Sequence, residues 1–161
     1  LDNTWSLTVS FPADMHKYVL LAHVLGATVW TGGHLVLAIA ILPPVMRRRS
    51  PEALRTFESA YEKIGMPALG VQIVTGLWLA YALVPDVRAW FAADDDLSRL
   101  ILVKLALLAA TVLVAVDARL RIIPRLSPQT LPAMARRIVT VTVLSVLFVA
   151  IGVTFRVGSL L

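Results

Sequence analysis

The chain has 161 residues, is 58% hydrophobic and only 16% charged, and its mean hydropathy is +0.81, whereas a soluble domain is nearer half apolar and about a quarter charged. It contains no cysteine, which excludes disulfides, iron–sulfur clusters and thiolate copper sites made from its own residues. The net charge of +5 does not require nucleic acid, because the positive residues fall in the connections between apolar segments.

The first apolar segment, Tyr18–Met46, runs 29 residues without a formal charge. That length exceeds what a helix needs to cross a bilayer. Acidic Asp14 stands where a signal peptide would carry basic residues, so the segment reads as a helix of the mature fold, with Asp14 at its start. All three histidines, His16, His23 and His34, lie in or just before it. Steps of 7 and 11 residues at 100° per residue sum to five whole turns, which puts the three on one face. Ser50-Pro51-Glu52 then opens a short amphipathic helix, with Pro at its first position and an acid near its positive end. Gly65 and Pro67 mark a bend into the second segment, Ile64–Pro85, which has 22 uncharged residues. Asp96 or Ser98 caps the third, in which Leu100–Val116 is interrupted only by Lys104. Thr130 and Pro132 precede the fourth, Ile138–Phe155. Period-two alternation is absent, which argues against a β-barrel. The expected fold is a single all-α domain over residues 1–161. It is an integral membrane four-helix bundle, up-down-up-down, with helices at about 15–46, 64–85, 97–122 and 133–157 and a short cytoplasmic amphipathic helix after the first.

Arginine distribution sets the expected orientation. Arg47, Arg48, Arg49, Arg55 and Lys63 follow the first segment, and Arg119, Arg121, Arg125, Arg136 and Arg137 follow the third. The opposite side carries Lys17, Arg88, Arg99 and Arg156, together with Asp86, Asp94, Asp95 and Asp96. The positive-inside rule places the arginine-rich loops in the cytoplasm and both termini in the periplasm. Trp5, Phe11, Trp90 and Phe91 then fall at the outer interface.

Imidazoles inside a bilayer are costly and usually face an interior, where they bind a metal or haem or relay protons. His23 and His34 are separated by roughly 16 Å along the helix axis, too far to share one ion. They could serve two sites stacked across the membrane. Outer-level partners are Lys104, Arg156, Trp78 and Tyr81, with Lys104 and Arg156 suited to haem propionates. At the inner level the candidates are Met66, a soft ligand for Cu(I) or haem iron, and Asp117 with Arg137, read as a cross-helix ion pair. Gly26 and Gly33 lie near the histidine stripe and admit either a neighbouring helix or a flat porphyrin. Plainer readings stand beside these. His16 next to Lys17 is a solvated interface residue, His23 and His34 could each serve only a hydrogen bond across the bundle, and Lys104 and Arg156 could snorkel.

The strings LLAHVLGATVWTGGHLVLAIAILP, IGMPALGVQIVTGLWLAY and LVKLALLAATVLVAVDARLRIIPRLSP, with the ending VTFRVGSL, resemble the CopD-like family of bacterial membrane proteins. More distantly they are similar to the HemJ-type protoporphyrinogen oxidases. The first resemblance implies copper handling in the inner membrane, and the second a haem-associated oxidation of a porphyrin precursor. His23 matches the first-helix histidine of both families, and Met66 and Lys104 loosely match the second. The expected function is binding of haem b or copper through His23 and His34, with Met66, Lys104 and Arg156 around the cofactor, for membrane redox chemistry or copper handling. Ligand supply within the chain favours haem, which needs only one or two axial ligands. The alternative is a cofactor-free accessory subunit of a larger membrane complex. Expected partners are the lipid bilayer, a second copy through the first helix, and a quinone or periplasmic redox protein.

Overall fold

A computed structural model describes residues 13–157, with side chains over residues 14–154; Trp5, Phe11 and the side chain of Arg156 lie outside the described residues. Helix α1 (Ala13–Val36) continues through a π-helical turn (Leu37–Ile41) into α2 (Leu42–Arg48). Helix α3 spans Glu52–Leu83, and a short α4 (Ala89–Ala92) leads to α5 (Asp96–Asp117). A second π turn (Ala118–Ile122) and a 3-10 turn (Ile123–Arg125) precede α6 (Leu131–Val157). Four helical stretches are long and apolar enough to cross a membrane: Asp14–Arg48, Glu52–Leu83, Asp96–Arg125 and Leu131–Thr154. The described chain is an all-α membrane bundle.

The segment after Pro51 is helical, but it does not stop before the second span. Glu52–Leu83 is one helix of 32 residues with Pro67 inside it. At 1.5 Å per residue it is about 48 Å long, so its first turns extend beyond the hydrocarbon core. Pro67 withdraws one backbone donor, a loss that membrane helices tolerate. The prolines of the other spans act differently. Each π turn ends two residues before a proline, ahead of Leu42–Pro43 and Ile123–Pro124. The last N–H ahead of each proline bonds five residues back, from Leu42 to Leu37 O and from Ile123 to Ala118 O. The helix widens where the following ring can neither donate nor fit the regular spacing. The cap of α5 is Asp95 rather than Asp96 or Ser98. Its carboxylate accepts from Ser98 N at 2.8 Å and from Ser98 Oγ at 3.1 Å.

The spans form an open row, curved so that α3 and the turn after α5 come within ion-pair reach. α3 packs on α1, α1 on α6 and α6 on α5, while α3 and α5 share no sustained contact. The tightest core gathers at the end carrying the arginine-rich connections. There Leu37, Leu42 and Val45 meet Leu54, Ala118, Leu126, Leu131, Met134 and Ile138. Arg55 reinforces this end by donating to the carbonyl of Leu126. Elsewhere large aliphatic side chains such as Ile39, Val74, Leu113 and Leu120 face outward, as lipid contact requires.

Candidate functional site

Because α3 and α5 flank the row without meeting, a cavity of about 440 Å³ lies between them, within the range of small-ligand pockets. His34 and Trp30 of α1 and Met134, Arg137 and Ile138 of α6 line it. α3 contributes Tyr61 and Met66, and Glu58, Glu62 and Arg119 also line it.

His34 is buried. Its Nδ1 lies 2.9 Å from the carbonyl oxygen of Trp30. A carbonyl only accepts, so Nδ1 carries the proton, and a neutral ring keeps a bare lone pair on Nε2. The same carbonyl accepts from the Tyr61 hydroxyl at 3.0 Å. The Tyr61 ring stands edge-on to His34, with centroids 5.7 Å apart, and the Trp30 ring lies 4.4 Å from it on centroids. Thr142 Oγ1 of α6 donates to Ile138 O at 2.7 Å and lies 3.2 Å from the backbone oxygen of His34. Contacts from α1 and α3 thus fix the imidazole.

The two glycines expected near a cofactor are filled by protein. A Cβ on Gly33 would stand 2.1 Å from Cε2 of Tyr61, and one on Gly65 would stand 2.8 Å from Cε1 of the same ring. A Cβ on Gly26 would stand 3.0 Å from Ala68 O and from Gln72 Cγ. These notches admit α3 to α1, the role of small residues in membrane helix packing. At Gly26 and Gly33 that space is taken by α3 rather than left open for a flat ring.

At the other level His23 Nδ1 lies 2.9 Å from Thr75 Oγ1, which donates its own proton to Val71 O at 2.6 Å. His23 therefore donates and also keeps a bare Nε2 when neutral. Gly76 makes room for the ring, since a Cβ there would approach His23 Cε1 at 3.0 Å. Lys104 of α5 reaches toward α6, its Nζ 3.7 Å from where a Gly152 Cβ would stand. His16 is exposed, with its ring 5.9 Å from that of Trp78.

The structure brings His34 and Met66 to one cavity, and neither His23 nor Lys104 lines it. Asp117 and Arg137 form an ion pair, with Arg137 Nε 2.6 Å from Asp117 Oδ2, and Arg121 Nη1 lies 3.4 Å from Asp117 Oδ1. Met134, Tyr61 and Thr75 were missed in the sequence. Met134 sits in the charged start of α6 and resembles packing there, and nothing in a linear pattern says which helix Tyr61 or Thr75 faces. Among the described residues no group of three His, Cys, Asp or Glu side chains converges.

The fold defines a multi-span α-helical membrane protein with a lateral cavity under one fixed imidazole. The family model of copper resistance protein D (CopD) matches residues 51–155, well over half of the chain, and the chain belongs to that family. The match takes in α3 to α6 and leaves α1 with its histidines outside it. Comparison with curated proteins and with solved structures gave no match.

Proposed function

We propose that this protein handles copper in the inner membrane and that Cu(I) is held as cargo in the cavity between α3 and α5. The ligands are Nε2 of His34 and the thioethers of Met66 and Met134. One observation carries the reading: His34, Met66 and Met134, from three helices, line the same mostly apolar cavity. Soft sulfur donors with imidazole select Cu(I) over harder divalent ions, which prefer carboxylate and water. The carboxylates at this cavity, Glu58 and Glu62, are engaged by Arg119. The hydrogen bond from Nδ1 to a backbone carbonyl is the kind of outer contact that orients a metal-binding histidine. His23 provides a second, outer stopping point. In the inferred orientation the His34 cavity lies toward the cytoplasm and His23 toward the periplasm.

The ligand-supply argument for haem weakens in the structure. The Gly33 notch is occupied by Tyr61, and the two cavity arginines are already paired with carboxylates. The histidine face of α1 is also covered by α3 within one chain, so ligation shared with a second copy through that face is not part of the proposal.

The test is Cu(I) titration of purified protein against a chromophoric chelator. Wild type should bind Cu(I), His34→Ala should lose it, and Met66→Leu and Met134→Leu should each weaken it by about tenfold or more. Normal binding by His34→Ala would remove the proposal. A Soret band with no copper bound would replace it with haem.

A further inference from the structure

We propose that Arg119, clasped to Glu58 and Glu62, is a gate across the side of the cavity between α3 and α5. The proposal rests on the copper reading only for the identity of what passes. The clasp joins α3 to the π turn after α5, two stretches that share no sustained contact. Arg119 Nη2 lies 2.6 Å from Glu62 Oε1 and Nη1 lies 3.5 Å from Glu58 Oε1. All three residues line the cavity, and the helices that carry them share no sustained contact. Lower down, Leu54, Leu126 and Leu131 seal the end of the bundle with apolar packing. Above that seal, charged side chains close the gap instead.

The parts suit a contact that opens. Arg119 is about half exposed, at 53%, while Glu58 is 25% exposed, so the guanidinium has water to return to. It sits in the π turn Ala118–Ile122, an arrangement frequent at functional sites, where one residue of slack lets the helix change register. Glu58 and Glu62 are one turn apart and repel each other. The guanidinium is the cation that holds them together. A cation arriving from the aqueous side competes with Arg119 for the same oxygens, so the displaced arginine and the admitted ion are linked by exchange.

The absence of cysteine permits a direct test in detergent. Ile138, at 4% exposure, lines the cavity, and Ile138→Cys reports access through its rate of maleimide labelling. Ser145, at 1% exposure, is not among the cavity-lining residues, and Ser145→Cys reports general loosening. Arg119→Ala should speed labelling at Ile138→Cys by about fivefold, the factor that one partly exposed ion pair can contribute. The rate at Ser145→Cys should stay unchanged, and Arg119→Lys should keep most of the closure. Combining Glu58→Gln with Glu62→Gln should match Arg119→Ala, and adding Arg119→Ala to that pair should bring no further gain. Unchanged labelling in all variants, or equal acceleration at Ser145→Cys, would overturn the gate and make Arg119 a strut. Loss of Cu(I) to a chelator should quicken by a similar factor in Arg119→Ala. If labelling responds and no variant, wild type included, binds Cu(I), the copper reading fails and the gate stands.

Discussion

At the scale of single residues, the cavity depends on where one proton sits. The Trp30 carbonyl fixes it on Nδ1 of His34, and Tyr61 shares that carbonyl. Gly33 is what allows Tyr61 to come so close. Gly33→Ala should therefore cost about 1–3 kcal/mol through overpacking and should also weaken Cu(I) binding, because the Tyr61 ring must leave. Gly32→Ala is the control, since a Cβ there meets nothing within 4 Å and should leave both readouts unchanged. Thermal unfolding in detergent, with copper titration of each variant, tests the pair. Tyr61→Phe keeps the ring and should lose only about 1 kcal/mol with the hydroxyl. Spacing alone showed that Gly26 and Gly33 lay near the histidine face. It could not show which body fills the notches, because that depends on the rotation of a second helix.

At the scale of helices, end chemistry and ion pairs give sharper expectations. Hydrogen bonds from Ser98, first from its backbone N–H and then from its hydroxyl, hold the Asp95 carboxyl below the usual carboxylate range. A depressed folded value favours the folded helix while the group is ionised. The contribution is complete above the ordinary carboxylate range and is lost as pH falls through it toward the lowered value. Melting temperatures followed between pH ~7 and ~3 should therefore fall less steeply in Asp95→Asn than in wild type, with the two curves converging at the acid end. Sequence alone offered Asp96 or Ser98 as the cap, one to three residues past Asp95, because adjacent aspartates give no spacing signal to choose between them. Asp117 and Arg137 join α5 to α6 at 2.6 Å, with side chains 30% and 26% exposed. Neutralising either alone should cost on the order of 1–3 kcal/mol, and neutralising both should cost less than the sum. A double-mutant cycle on unfolding free energies checks this, and simple additivity would mean the groups do not interact. The π turns went unread because prolines announce a disturbed helix without saying whether it bends, ends or widens. Pro67 lies inside a continuous helix, whereas Pro43 and Pro124 each follow a π turn.

At the scale of the molecule, four spans were legible because long charge-free runs have few other readings. Their arrangement was not. Lipid-facing and partner-facing surfaces are both apolar, so hydropathy carries little information about which helices touch. The row α3–α1–α6–α5 is a product of side-chain fit, and the lateral cavity follows from it. Orientation is an inference from arginine placement, and it can be measured. Cysteines placed singly at Ser50, on the arginine-rich side, and at Asp94, on the acidic side, should label from the cytoplasm and the periplasm respectively. The reverse pattern would place the His34 cavity nearer the periplasm.

The row also has a consequence in time. α3 meets its main neighbour, α1, as soon as it emerges, because α1 is already made. α5 has no such partner until α6 arrives. The chain is thus two hairpins, each closed by local contacts, and the α1–α6 seam joins them last. Early closure of each hairpin keeps loop-closure costs small, while the joining step brings distant parts of the chain together. The connection between the hairpins, around residues 84–95, is then dispensable as a covalent link. Fragments 1–87 and 88–161, expressed together, should assemble into a bundle that co-purifies and retains the cavity. Failure of the two pieces to associate would mean that the α1–α6 seam is too weak to hold without the tether.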